Sequence, residues 1–182
     1  MRMNAHSQLT VSVGQYSDKG RKETNQDAHG YLIPSGALLS SKGICVALAD
    51  GISTSSVSQQ ASELALQTFL EDYYRTSDAW SVRTSGERVL SAANSKLYAE
   101  TRRSEFRFDK DQGYVCTFSG LVIKSRTAHL FHAGDARIYS LEHGALVQLT
   151  QDHRLRVSDE TSYLSCALGV NSDIDVVGRL GA

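Results

Sequence analysis

Residues 43–49, G-I-C-V-A-L-A, form the most apolar strand-length run in the chain, and the run stops on Asp50-Gly51. A continuous run of this kind, bounded by glycine and then by a turn dipeptide, predicts a central β-strand covered on both faces. The flanking sequence must supply the cover. Residues 9–15 alternate, Leu9, Val11 and Val13 against Thr10, Ser12 and Gly14, which predicts a half-buried strand. A polar loop over 17–27 leads to a short strand over 30–33, ended by Pro34-Ser35-Gly36. Val57, Ala61, Leu64, Ala65, Thr68 and Phe69 recur at three- and four-residue spacing and predict a helix over 56–74, with the serines and threonine of 53–56 as N-cap candidates. A second helix is expected over 81–103, striped by Val82, Val89, Leu90, Ala93 and Leu97. Short strands follow over 115–123, 127–133, 136–141 and 145–149, separated by the turn signals Lys124-Ser125-Arg126, Gly134-Asp135 and His143-Gly144.

Strands, then two helices, then a strand meander is not the alternation of a doubly wound parallel sheet. The order predicts an α/β (α+β) fold, with antiparallel sheets and helices packed outside them, in a single domain over 1–182. A chain of 182 residues, 41% apolar and 21% charged, suits one soluble core. A net charge of -1 leaves no global electrostatic basis for binding nucleic acid or an anionic membrane. No apolar run reaches the ~18–20 residues that span a bilayer, and the polar N-terminus carries no apolar signal segment. A cytoplasmic location is therefore expected. Cys45, Cys116 and Cys166 are widely spaced without a C-x-x-C pair, so neither a disulfide framework nor a zinc site is indicated. Cys45 and Cys116 lie in apolar strands and read as buried small hydrophobes.

Polar residues of interest gather where strands end: Asp27, Asp50 with Gly51, and Asp135. A carboxylate at the end of a buried strand is rigidly placed yet reaches solvent, which suits a hard cation bound by oxygen ligands and water. Gly51 would let a metal or substrate approach the backbone. Taken singly, Asp-Gly and Gly-Asp are also ordinary turn dipeptides, and Lys22, in a lysine-rich loop, is an ordinary solvated cation.

Four segments in order separate these readings: G-R-K-E-T-N-Q-D-A over 20–28, A-L-A-D-G-I-S-T over 47–54, G-Y-V-C-T-F-S-G-L-V over 113–122, and H-A-G-D-A-R-I-Y over 132–139 with L-T-Q-D-H over 149–153. In this order and spacing the chain resembles the metal-dependent type 2C (PPM-type) serine/threonine protein phosphatases, from about residue 11 to about residue 170. The resemblance implies two antiparallel β-sheets sandwiched between helices, here incomplete, and hydrolysis of phosphoserine or phosphothreonine by a metal-activated water. It implies that Asp50 bridges two Mn²⁺ or Mg²⁺ ions and that Gly51 lends its carbonyl. It further implies that Asp27 holds a metal directly or through water, that Asp135 faces a third, weaker ion, and that Asp50 and Asp27 are the catalytic pair. Lys22 falls where the family has its phosphate-binding arginine. A phosphorylated protein is the implied substrate, and a serine/threonine kinase, separate or fused, the counterpart.

The departures set a rival expectation. Lys22 loses the bidentate fork of arginine, Gln26 replaces a glutamate, Ile52 stands where some members have a histidine, Ser53 and Thr54 replace paired glycines, and His132 replaces an asparagine. The family's late Asp-Gly and Asp-Asn motifs do not occur in these residues, and neither Asp173 nor Asp175 matches them in context. Low Mn²⁺-dependent turnover is expected from this chain. The alternative is a regulatory or sensor domain that binds metal or phosphoprotein without turnover. An unrelated acidic metal-binding domain would leave the four ordered motifs unexplained. His132 reads as packing, and His153 as a structural residue hydrogen-bonded near a loop.

Overall fold

The structure, a computed structural model, describes residues 9–156, 158, 162–174 and 177–181. The apolar run becomes β2 (Ile44–Asp50), and it is internal in a sheet, between β1 (Asp27–Leu32) and β3 (Phe118–Lys124). β4 (Thr127–Ala133) follows β3 through a tight turn. Two ribbons, β5 (Tyr139–Glu142) with β6 (Ala145–Gln148) and β7 (Arg154–Arg156) with β8 (Ser162–Leu164), pair within themselves among the described residues. β9 (Val177–Gly181) returns beside β4, giving an antiparallel sheet of order β1-β2-β3-β4-β9.

Helices α2 (Ser58–Arg75) and α3 (Val82–Arg103) match the expected pair and pack on one face of this sheet. Alternation decides which side chains meet them. Cys45, Ala47 and Ala49 point into the core, whereas Val46, Leu48 and Asp50 fall on the opposite face. Small residues in the sheet let α2 approach: Gly30 faces Leu66 and Leu70, and Gly120 faces Phe69. At the centre, Phe69 meets Phe118 edge-on at 5.0 Å and Phe131 at 5.8 Å, orientations that favour aromatic pairs. Ser81 caps α3 by accepting from the Thr84 N–H. α2 starts differently from the expectation. Its cap residue is Val57, and Ser55 Oγ instead accepts from the Val57 N–H. Cys45 and Cys116 are fully buried as expected, and burial pushes the Cys45 thiol up to about 12.

Three expectations are revised. A short helix, α1 (Gly36–Lys42), follows the strand stop; seven residues are too few to carry a periodic signal. Residues 9–15 do not form a strand. Val13–Tyr16 instead lie over the helix-free face of the large sheet, where their alternation suits half-burial but no strand edge offers a ladder. For the same reason β2 is not covered by regular structure on both sides. Leu48 stays 41% exposed, and a cavity of about 320 Å³ separates the sheet from Val13–Tyr16, Arg137 and Ile138.

Gly86 of α3 lies directly on the Phe131 ring, so that an added Cβ would fall inside it. Gly86→Ala is expected to lower stability by about 1–3 kcal/mol despite the better helix propensity of alanine, because buried overpacking outweighs propensity. Urea unfolding monitored by circular dichroism checks the sign; a gain in stability would show that α3 does not seat on Phe131.

Candidate metal centre

The β1–β2 register sets Asp27 opposite Asp50. Asp50 turns its own backbone towards the other neighbour: its N–H donates to Thr117 Oγ1 (3.3 Å) and its carbonyl accepts from the Thr117 N–H (2.8 Å). The Asp27–Asp50 pair is therefore of the closely spaced, non-hydrogen-bonded kind, with Cα atoms about 4.5 Å apart. Ala28 and Ala49 point into the core, so both carboxylates stand on the face away from the helices. Like charges are thereby forced together in partial burial. The Asp50 carboxyl is pushed up to about 6, first by burial and then by hydrogen bonding to Asp27 and by the Asp27 charge, with Asp135 adding and Lys22 opposing.

Gly51 continues from Asp50, and its N–H donates to the Gln26 carbonyl (3.1 Å). A Cβ here would stand 2.7 Å from the Ser58 carbonyl oxygen, so the missing side chain makes room for the start of α2. Nothing among the described residues donates to the Gly51 carbonyl, which remains able to act as an oxygen ligand. Gln26 has a clear task. Its amide donates to Ile52 O (3.4 Å), Ser55 O (3.0 Å) and Ser58 Oγ (2.7 Å), and so ties the loop after Gly51 to the start of β1. A carboxylate at this position could not donate to the two carbonyls. Lys22 is exposed, with Nζ 3.4 Å from Gln26 Oε1, and its charge reaches Asp50.

Asp135 follows β4 at the same end of the sheet, two strands from Asp50 and hence about 10 Å away along the sheet. Gly134 takes φ +116°, and its Cα packs against the Thr117 side chain. Thr117 thus contacts both the Asp50 backbone and the turn that carries Asp135. The turn is clamped by His153, whose Nδ1 accepts from the Gly134 N–H (3.2 Å) while its own N–H donates to the Gly134 carbonyl (2.7 Å). Arg154 Nε donates to Asp135 Oδ2 (2.7 Å), and in return Arg137 donates through Nε and Nη2 to both oxygens of Asp152. The Arg137 guanidinium holds the Asp152 carboxyl below its usual range. His132 is buried as packing: Nε2 faces the Gln151 carbonyl (3.1 Å) and so donates, leaving Nδ1 to accept from the Ser119 hydroxyl (2.9 Å). Burial first, and then His153, lowers its pKa, consistent with a neutral ring.

The structure thus brings Lys22, Asp27, Asp50 and Gly51 together and places Asp135 at the margin. Among the described residues no three His, Cys, Asp or Glu side chains converge tightly enough to cage an ion. Two carboxylates and a carbonyl do fit a hard divalent ion whose remaining positions are filled by water. Asp173 is exposed and accepts from Ser172 Oγ, and Asp175 lies outside the described residues. Thr117 and Arg154 were not singled out by sequence reading. Thr117 lies within the third motif and Arg154 directly follows the fourth, but nothing in the local sequence says which remote residue either would meet.

The family model of protein phosphatase 2C matches residues 15–167. Among solved structures, the serine/threonine phosphatase Stp1 from Staphylococcus aureus superposes with TM-score 0.75 at 14% identity, over 98% of this chain and 75% of that one. The Mycobacterium tuberculosis serine/threonine phosphatase PstP/Ppp gives 0.64 at 19% identity, over 88% and 68%. The catalytic domain of PstP in complex with two manganese ions gives 0.62 at 21% identity, over 88% and 68%. Comparison with curated protein sequences gives no match. At these identities the structural likeness establishes the fold.

Asp50 carries opposite consequences for stability and binding. With no metal, a carboxyl raised from 3.8 to about 6 binds its proton in the folded state while the unfolded chain has lost it. Stability therefore falls as pH rises from about 4 to 6, and the deficit persists at neutral pH. After discounting for partial exposure, Asp50→Asn is expected to stabilise the metal-free chain by about 1 kcal/mol at pH 7.5 and to abolish the rise in Tm produced by Mn²⁺. Thermal melts with EDTA and with Mn²⁺ check both signs; a variant that loses stability and keeps the Mn²⁺ shift would make Asp50 a turn residue.

Proposed function

The chain belongs to the protein phosphatase 2C family of metal-dependent serine/threonine phosphatases, and from that premise we propose that Asp50 and Asp27 are its metal-holding catalytic carboxylates and Lys22 its phosphate contact. The observation that carries this reading is the Asp27–Asp50 pair, two carboxylates facing each other at the open end of a sheet with a lysine in range. A structural ion pair would oppose unlike charges; here like charges are adjacent, at a cost to the fold that a bound cation offsets.

Asp50, held through its backbone by Thr117, presents a fixed carboxylate to the metal position, with Asp27 completing the cradle and Gly51 offering its carbonyl. When bound, Mn²⁺ or Mg²⁺ supplies charge neutralisation at the phosphoryl oxygens and acidifies water for in-line attack on phosphorus. Lys22 adds a positive charge for the phosphate ester, as a point charge on a flexible stem that can follow it. The buried His132–Ser119 pair and the His153 clamp hold the turn carrying Asp135, the residue that would hold a third, weaker ion. The substrate is a phosphoserine or phosphothreonine protein, with a serine/threonine kinase, separate or fused, as counterpart. No helix among the described residues is long and apolar enough to cross a membrane, and we place the activity in the cytoplasm.

A second reading, a sensor that binds metal or phosphoprotein with little turnover, is favoured by one observation. Among the described residues only two carboxylates form the cradle, because Asp135 stands two strands away and is paired with Arg154. A phosphothreonine peptide assayed with this chain and Mn²⁺ separates the readings. Turnover that is slow, lost with EDTA and lost in Asp27→Asn supports hydrolysis; saturable peptide binding with no phosphate release supports the sensor.

Lys22→Ala is expected to raise KM by about tenfold with a smaller fall in kcat, the pattern of a ground-state phosphate contact. Lys22→Arg is expected to restore or improve KM through its bidentate fork. Steady-state kinetics on an aryl phosphate checks both, and unaltered kinetics in the alanine variant would return Lys22 to the solvated surface.

A further inference from the structure

Five polar contacts join the Gly134–Arg137 turn to Asp152–Arg154, and they differ in strength. His153 and the Gly134 backbone exchange two hydrogen bonds. Arg137 grips Asp152 with two nitrogens on two oxygens, the planar match that makes such pairs specific. Arg154 reaches Asp135 through Nε to one oxygen, in the weaker single-contact form. Arg154 opens β7, a three-residue strand of exposed side chains, and among the described residues β7 pairs with β8. Its side chain is 47% exposed, while that of Asp135 is 22% exposed. A carboxylate anchored by the Gly134 turn is thus neutralised by a guanidinium on a light ribbon. The charge of Asp135 also reaches Asp50, so a cation held by the cradle and a cation held at Asp135 would feel each other.

We propose that Arg154 is a built-in counter-cation that competes with a hard divalent ion for Asp135, so that this carboxylate joins the metal centre only when the half-exposed guanidinium swings away. The inference rests on the reading of Asp27 and Asp50 as the primary cradle. Pairing with Arg154 satisfies Asp135 in the ion-free state, when an unpaired, partly buried charge would be costly. The guanidinium also adds positive charge near the place a dication would occupy, which weakens that dication further. Displacement has a direction: the Arg154 side chain moves, because it is the more exposed partner, whereas the turn that carries Asp135 is tied by the Gly134–His153 exchange and by Thr117 beneath it. Arg154 therefore sets the number of ions held, and it acts without contacting the ions of the cradle.

Isothermal titration of the full chain with MnCl₂ tests this, using R154Q, the double variant D135N/R154Q, and D50N. R154Q is expected to bind a further equivalent of Mn²⁺, or to bind its weakest ion on the order of tenfold more tightly. The double variant is expected to lose that gain. A wild-type isotherm for R154Q, or a gain that persists in the double variant, would overturn the proposal. D50N reports on the cradle separately: if it binds Mn²⁺ like the wild type, the cradle reading fails whatever R154Q does. Should R154Q not melt cooperatively, the unmodified chain decides. The Arg154 Nε–H resonance is expected to shift on saturation with Mg²⁺, and a resonance that stays fixed refutes displacement.

Discussion

Everything at the candidate centre depends on the register between β1 and β2. In an antiparallel pair a slip of one residue sends every side chain to the other face. With Ala28 opposite Ala49, the small residues go under α2 and the two aspartates go to the open face; one residue out, two carboxylates would point into the helix-packed core. The core enforces the register, since Gly30 leaves room for Leu66 and Leu70 while Ala47 and Ala49 are themselves buried in the core. Gln26 and Gly51 then secure the pair just beyond the sheet, one by donating to the following loop and the other by making way for Ser58. The repulsion between the aspartates is tolerated because the apolar face behind them outweighs it.

Much of this was legible in the chain itself. The run over 43–49, the helical stripes of α2 and α3, and the hairpin signals after residue 113 each carried a period that burial imposes. The strand-end aspartates were legible only through the four ordered motifs, since Asp-Gly or Gly-Asp after a strand is by itself an ordinary turn. Three things were not legible. Residues 9–15 have the alternation of a strand, yet period two records which side chains are covered, not which backbone groups are paired. The short helix α1 leaves no periodic trace. Partnerships between remote side chains, such as Arg154 with Asp135 or Thr117 with Asp50, arise from strand order and have no local signature.

The second half of the centre follows a different logic from the first. Asp27 and Asp50 are placed by a sheet, whereas Asp135 is placed by a turn held to a neighbouring loop through exchanged ion pairs and a histidine clamp. Segment 134–137 supplies Asp135 and Arg137, and segment 152–154 supplies Asp152 and Arg154, so that each half needs the other. The two stretches of the fourth motif thus form one unit in the fold. Rigid sheet on one side and exchangeable ion pairs on the other give the centre a fixed part and an adjustable part.

The four-strand origin of the centre also bears on how the chain is made. Asp27 and Asp50 belong to neighbouring strands joined through α1, but the residue that orients Asp50 is Thr117, which leaves the ribosome only after both long helices have been synthesised. A nascent chain that has exposed Asp27 and Asp50 still lacks the strand that orients Asp50. The strand that orients Asp50 thus arrives late in translation, after both long helices of the core have been made.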